Sequence, residues 1–153
     1  MAETKTTFVK ILNANMKHVD FVYQEGLNID KLPFNPSGTC KSGGLYYTNL
    51  ENMAKFIEYG TQIADVIVPA DAQVYADPKG DKWKADKIIL QNIRPLKDHP
   101  IWNDKTFCLA AIKQHSYALQ HVREQTPEIC LAAVQKNGRA LHYVREQTPE
   151  ICS

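Results

Sequence analysis

The sequence predicts an α+β chain in two parts: a mainly-β domain with one inserted helix over residues 1–91, then short all-α tandem helical repeats over 104–153, with a linker at 92–103 between them. Three observations carry this. The first 90 or so residues hold short apolar runs broken by Gly, Pro, Asn and Asp, which is the pattern of strands and turns. One stretch among them, 50–59, has its apolar residues at helical spacing instead. The last third repeats itself: 118–130 reads ALQHVREQTPEIC and 140–152 reads ALHYVREQTPEIC, 22 residues later. An internal repeat of this strength sets the architecture before any single element does.

In chain order, 7–12 (TFVKIL) alternates loosely and reads as a first strand. Residues 13–18 form the turn into a second strand, 19–23 (VDFVY). The stretch 27–42 contains Pro33, Pro36 and Gly38 and reads as loop, and Gly43-Gly44 launch an aromatic strand, 45–48. Asn49 is placed to cap the helix at 50–59, Gly60 to stop it, and Leu50, Met53, Phe56 and Ile57 make its buried stripe. A strand at 63–68 ends at Pro69. Residues 73–76 and 85–90 read as a pair across the polar turn 77–81. Strands with one helix among them indicate α+β.

Each repeat has its own grammar. Thr126-Pro127-Glu128 supplies an N-cap, a proline at the first helical position and an acid facing the positive end of the helix dipole. The helix continues to Lys136, Asn137-Gly138 reads as a left-handed stop, and a shorter helix follows through Ala140, Leu141, Tyr143 and Val144. One period earlier, Cys108 to Tyr117 fits the same template, with Asp104 in place of Thr126 and His115-Ser116 in place of Asn137-Gly138. The expected copies are 104–125, 126–147 and a truncated 148–153. Such a unit buries its apolar face only against a neighbour.

Bulk composition narrows the function classes. Lys and Arg total 18 against 17 Asp and Glu, so no basic face points to nucleic acid. No apolar run approaches the ~20 residues of a membrane helix, and the polar start MAETKTT shows no secretory signal. Cys108, Cys130 and Cys152 recur every 22 residues at one repeat position, which reads as small core residues rather than a zinc site or disulfide framework. Cys40 stands alone in a loop.

Three features resemble chemistry. The run 38–44 (GTCKSGG) suggests a phosphate loop, but Lys41-Ser42 precedes the glycine pair, the reverse of the nucleotide-binding order. Cys40 with His18 or His99 is a nucleophile–base pairing that only folding could bring together. Third, 44–48 (GLYYT), a capped helix ending Tyr59-Gly60, and 65–69 (DVIVP) resemble the middle of an ADP-ribosyltransferase core. That family needs an early His or Arg before a glycine and a late Glu on a strand. Here 23–26 reads YQEG, and the late strand 84–90 has Asp86 but no Glu. No catalytic, cofactor-binding or metal-ligating residue is therefore assigned, and no cofactor is expected.

Two further resemblances reach across the chain. The motif TPEICLAAVQKNGRALHYV is similar to a short helical repeat of unknown function found in tandem in bacterial and giant-virus proteins. The segment 8–90, with QEGLN at 24–28, CKSGGLYY at 40–47 and KFIEYG at 55–60, is similar to a domain in proteins of large amoeba-infecting DNA viruses, where it often precedes repeats such as ankyrins. The resemblance implies a viral module joined to an interaction scaffold, acting in the host cytoplasm or the virion. The expected function is non-enzymatic: binding of a protein partner, or homodimerisation, through the face around Leu141, Tyr143, Val144 and Ile151. The alternative is a small ADP-ribosyltransferase-like or nucleotide-binding enzyme with its pocket around the Gly26 to Gly44 loop, on which Tyr23, Glu25, Tyr46 and Asp86 would converge.

Overall fold

A computed structural model describes residues 8–18, 21–38 and 41–145. The chain divides into two compact units, Met1–Arg94 and Pro95–Ser153.

The first unit is built on a seven-stranded sheet. Its strands are β1 (Phe8–Leu12), β4 (Gly26–Ile29), β5 (Leu45–Asn49), β6 (Gln62–Ile67), β7 (Val74–Ala76), β8 (Trp83–Ala85) and β9 (Lys87–Pro95), in the order β4-β9-β6-β1-β5-β8-β7. A separate two-stranded ribbon pairs β2 (Lys17–His18) with β3 (Phe21–Val22). The central strand β1 runs antiparallel to β6 along its whole length, from Phe8 opposite Val66 to Leu12 opposite Gln62. Leu12, Tyr23, Leu45, Tyr47, Ala64, Val66, Ile88 and Leu90 form one apolar core on this sheet. Burial of this kind contributes about 1.5–3 kcal/mol per large side chain.

Several expectations are corrected here. The span 27–42 is not all loop: Gly26–Ile29 is a strand that pairs antiparallel with β9, Gly26 opposite Leu90. Its partner lies some 60 residues away, so nothing local marks it. The partner of Val74–Ala76 is Trp83–Ala85, not 85–90. Asp86 separates that strand from β9, its carboxylate accepting from the Gln73 N–H at 2.8 Å. The inserted helix is a 3₁₀ helix, Met53–Tyr59, with Asn52 at its N-cap. Asn49 ends β5, and its side-chain oxygen accepts from the Asn52 N–H at 2.9 Å. Gly60 is extended (φ 169°), not left-handed; glycine is needed there because a Cβ would lie 2.0 Å from the Leu12 carbonyl oxygen. Met53, Ala54 and Ile57 are buried, while Leu50 and Phe56 are half-buried. Residues 7, 19 and 20 of the expected first two strands lie outside the described residues.

Among the described residues of the second unit the regular elements from Leu96 onward are all helical. Of the span read as a linker, 92–95 ends β9 and two short 3₁₀ helices, Leu96–Asp98 and Pro100–Asn103, follow, with Leu96 and Trp102 buried. Then come α1 (Lys105–Gln114), a 3₁₀ turn (Ser116–His121), α2 (Pro127–Lys136) and a second 3₁₀ turn (Gly138–Tyr143). Each bound of the second pair lies 22 residues after the first. The Asp104 side chain caps α1 by accepting from the Phe107 N–H at 3.1 Å, and Thr126 caps α2 by accepting from Ile129 at 3.3 Å. Caps of this type stabilise a helix by about 1 kcal/mol.

The helix stops differ from expectation. Gly138 is absent from the positive-φ residues, and Asn137 is extended (φ −153°, ψ 113°). The chain leaves α2 in β conformation, and the Asn137 side chain at once accepts from the Arg139 N–H at 3.0 Å to start the next turn. His115 does the same after α1, its Nδ1 accepting from the Tyr117 N–H at 3.3 Å. His115 and Asn137 are thus equivalent twice over: each closes a helix through its own N–H, on the Ala111 and Ala133 carbonyls, and begins the next turn with its side chain.

Candidate functional site

Two features of the described residues have the form of sites, one in each unit. The first follows from an incomplete ladder. β5 divides its two edges: Leu45, Tyr46 and Tyr47 pair with β8, whereas only Thr48 and Asn49 pair with β1. Beyond Val9 no further residues of β1 and β5 pair, and there Lys10 crosses to β5, donating from Nζ to the Tyr46 carbonyl at 2.6 Å. Lys10 is almost fully buried, its ammonium also lies 4.7 Å from the centroid of the Tyr23 ring, and burial lowers its pKa to about 8.

The gap opens into a cavity of about 170 Å³ lined by Lys10, Lys17, His18 and Lys82 together with Tyr46, Tyr47, Phe56 and Tyr59. The ribbon positions the first of these. Met16 takes a left-handed conformation (φ 57°), and the Asn13 side chain clips both the Lys17 N–H (3.0 Å) and the Lys17 carbonyl (2.6 Å). Burial, and then the nearby charge of Lys10, lower the pKa of His18. On the far wall the Tyr46 ring has two ammonium groups against it, Lys82 at 5.8 Å and Lys84 at 5.6 Å. Lys82 in turn lies 3.8 Å from the buried Asp77 carboxylate.

Of the four side chains placed around a pocket by sequence, only Tyr46 lines this one. Tyr23 is buried against Lys10, Glu25 is exposed, and Asp86 holds the backbone of Gln73. Residues 39 and 40 of the 38–44 stretch lie outside the described residues; on either side of them the Ser37 and Lys41 carbonyls accept from the Lys84 ammonium (3.3 and 3.5 Å), presenting acceptors where a phosphate requires donors. Cys40 lies outside the described residues, and His99 uses its Nδ1 to accept from the Ile101 N–H. No group of three or more His, Cys, Asp or Glu able to hold a metal occurs among the described residues.

The second site is the stacking face of the helical unit. Gln125 joins the two modules: its Nε2 donates to the Leu119 and Tyr143 carbonyls (3.2 and 2.9 Å), and its Oε1 accepts from the Arg145 N–H at 2.9 Å. The Arg145 guanidinium donates to the Val122 and Arg123 carbonyls at the end of the preceding 3₁₀ turn. One period earlier, Arg123 donates to the Lys97 carbonyl at 3.5 Å. These residues were missed from sequence, although the invariant VREQT of the two copies marks them. Tyr143 packs edge-on against Tyr117 (5.5 Å), and His121, its counterpart, stacks on Trp102 (5.1 Å).

The proposed contact residues separate. Leu141 and Tyr143 are half-buried, Val144 is buried within the chain at 5 % exposure, and Ile151 lies outside the described residues. Cys108 and Cys130 are buried free thiols. Burial pushes the Cys108 thiol up to about 11 and raises that of Cys130, so neither is poised as a thiolate nucleophile. Cys152 lies outside the described residues. No helix among them is long and apolar enough to cross a membrane.

A domain of unknown function, DUF4116, matches residues 104–147. The chain is similar to the "Putative ankyrin repeat protein R868" of Acanthamoeba polyphaga mimivirus, 36 % identical over 100 residues, 62 % of this chain and 50 % of that protein. It is 37 % identical over 89 residues to the "Putative ankyrin repeat protein R229" of the same virus, covering 54 % of this chain and 29 % of the relative. The chain thus spans half or less of both relatives. The uncharacterized protein R869 of that virus is 30 % identical over 105 residues, 66 % of this chain and 76 % of R869. No solved structure matches the chain.

Proposed function

The chain belongs to a family of giant-virus proteins of unknown function, and from that premise we propose that it is a non-enzymatic interaction protein whose helical unit docks a further module of its own kind. The observation that carries this is a difference in burial between equivalent positions. In the first module Ile112 and Leu119 are fully buried. Their counterparts 22 residues on, Val134 and Leu141, are only half-buried. Among the described residues the second module therefore carries the face that, on the first, a following module covers. Repeat stacks associate through such faces, and the ankyrin-repeat names of several relatives support a binding role.

The occupant is a second copy of the chain. In such a dimer like meets like: the half-buried patch of one copy packs against the same patch of the other, and a self-complementary contact of this kind closes under two-fold symmetry. The protein acts in the cytoplasm of the infected host or in the virus particle. Sedimentation velocity on the intact protein tests the reading. The wild type is expected to dimerise at micromolar concentration, and Leu141→Asp with Tyr143→Asp to sediment as a folded monomer. A wild type that stays monomeric at high micromolar concentration would contradict self-association.

A further inference from the structure

The cavity in the sheet unit is a charged one. Four of its lining residues are Lys10, Lys17, His18 and Lys82, and no Asp or Glu lines it among the described residues. Lys82 is balanced by Asp77. Among the described residues no carboxylate lies within ion-pairing distance of Lys10 or Lys17. Among the described residues two positive charges therefore face the cavity without a carboxylate in ion-pairing distance, and one of them is on a buried side chain.

The position of Lys10 is informative because it is unfavourable. Burying an ammonium costs several kcal/mol unless charge and hydrogen bonds compensate. The Tyr46 carbonyl engages one of its three N–H groups and the Tyr23 ring face another. An apolar side chain of similar length would fill the same space at lower cost. The aromatic lining adds a second constraint. Tyr46, Phe56 and Tyr59 present ring surface to the cavity, with Phe56 and Tyr59 at 6.0 Å between centroids.

We propose that this cavity binds a phosphate monoester carried on a flat ring, the phosphate between Lys10 and Lys17 and the ring against Tyr46, Phe56 and Tyr59. Charge selects the phosphate: a monoester carries about −1.5 to −2 at neutral pH, matching two ammonium groups, whereas a carboxylate would leave one uncompensated. Size limits the ligand: at about 170 Å³ the cavity falls below the ~300–1,000 Å³ of sites for drug-sized molecules. One ring with one phosphate fits, and a dinucleotide does not. The lowered pKa of Lys10 is consistent with a site waiting for a counter-charge.

Isothermal titration calorimetry on the intact protein at neutral pH tests this with phenyl phosphate, and with inorganic phosphate and phenol as its two halves. Phenyl phosphate is expected to bind at least tenfold more tightly than inorganic phosphate. Lys10→Met should weaken that binding tenfold or more while leaving the melting temperature unchanged or higher. Lys79→Met, on the exposed turn after β7, should leave it unaltered. If Lys10→Met does not fold, Lys17→Ala on the exposed ribbon takes its place, with at least a fivefold loss expected. Binding no tighter than that of inorganic phosphate, or an equal loss in Lys79→Met, overturns the proposal.

Discussion

The two units place their information at different distances along the chain. In the helical unit the residues that set an element lie within a few positions of it: Asp104 and Thr126 three before the N–H each caps, His115 and Asn137 two before theirs. Contacts between modules run between short neighbouring segments, through Gln125 and Arg145. In the sheet unit the defining pairs are remote, Gly26 with Leu90 and Leu45 with Ala85. The consequence is functional as well as structural. A repeat shows a surface by copying it, whereas a cavity in a sheet arises where a remote pairing stops, as it does beyond Val9.

The largest effect is expected where the helical unit depends on a single side chain. Trp102 is fully buried, meets Phe107 edge-on at 5.4 Å, stacks on His121, and donates from Nε1 to the Leu96 carbonyl at 3.0 Å. Trp102→Ala should destabilise the helical unit by about 3–5 kcal/mol, read as an early loss of helical circular dichroism on heating. A loss under 1 kcal/mol would show that the modules stand without this first layer.

A pair of glycines sharpens the contrast. Gly60→Ala forces a Cβ into the backbone of β1 and should cost about 2–3 kcal/mol in chemical denaturation. At Gly138 a Cβ meets no atom within 4 Å and φ is not positive. Gly138→Ala should therefore be neutral, or stabilising by about 0.5 kcal/mol. A destabilised Gly138→Ala would restore the left-handed stop that the sequence suggested.

What could be read from sequence divides along the same line. The start of α2 was legible because cap, proline and acid are adjacent residues, and that of α1 because Asp104 stands one period before Thr126. The stop was misread because Asn-Gly is a frequent left-handed pair, and only the fold shows Asn137 facing forward to Arg139. β4 was illegible because its partner is remote, and β8 ran into β9 because Ala85-Asp86-Lys87 carries no break signal; the bond from Gln73 to Asp86 makes the division. The cavity left no local trace, since Lys10 in FVKIL reads as an ordinary solvated position of an alternating strand.

A smaller effect concerns pH. Burial lowers the His121 pKa to about 4, against about 6.5 for an unfolded histidine. Between these values the unfolded chain takes up a proton that the folded one refuses, so stability falls as pH drops from 6.5 toward 4. After discounting for the partial exposure of the ring, the loss is about 1 kcal/mol. His121→Tyr places there the residue its counterpart Tyr143 already carries. Melting curves of that variant should be flatter across this pH range than those of the wild type.

The proposed division of roles, a sheet that holds a cavity and a helical face that associates, is tested most directly by hydrogen exchange on the intact protein at low and high concentration. Protection should rise with concentration at the amides around Val134, Leu141 and Tyr143 and stay constant along the sheet-edge strand β4, where Leu27 and Ile29 are exposed. Rising protection in β4 with none in the helical unit would contradict the account and move the association surface to the sheet.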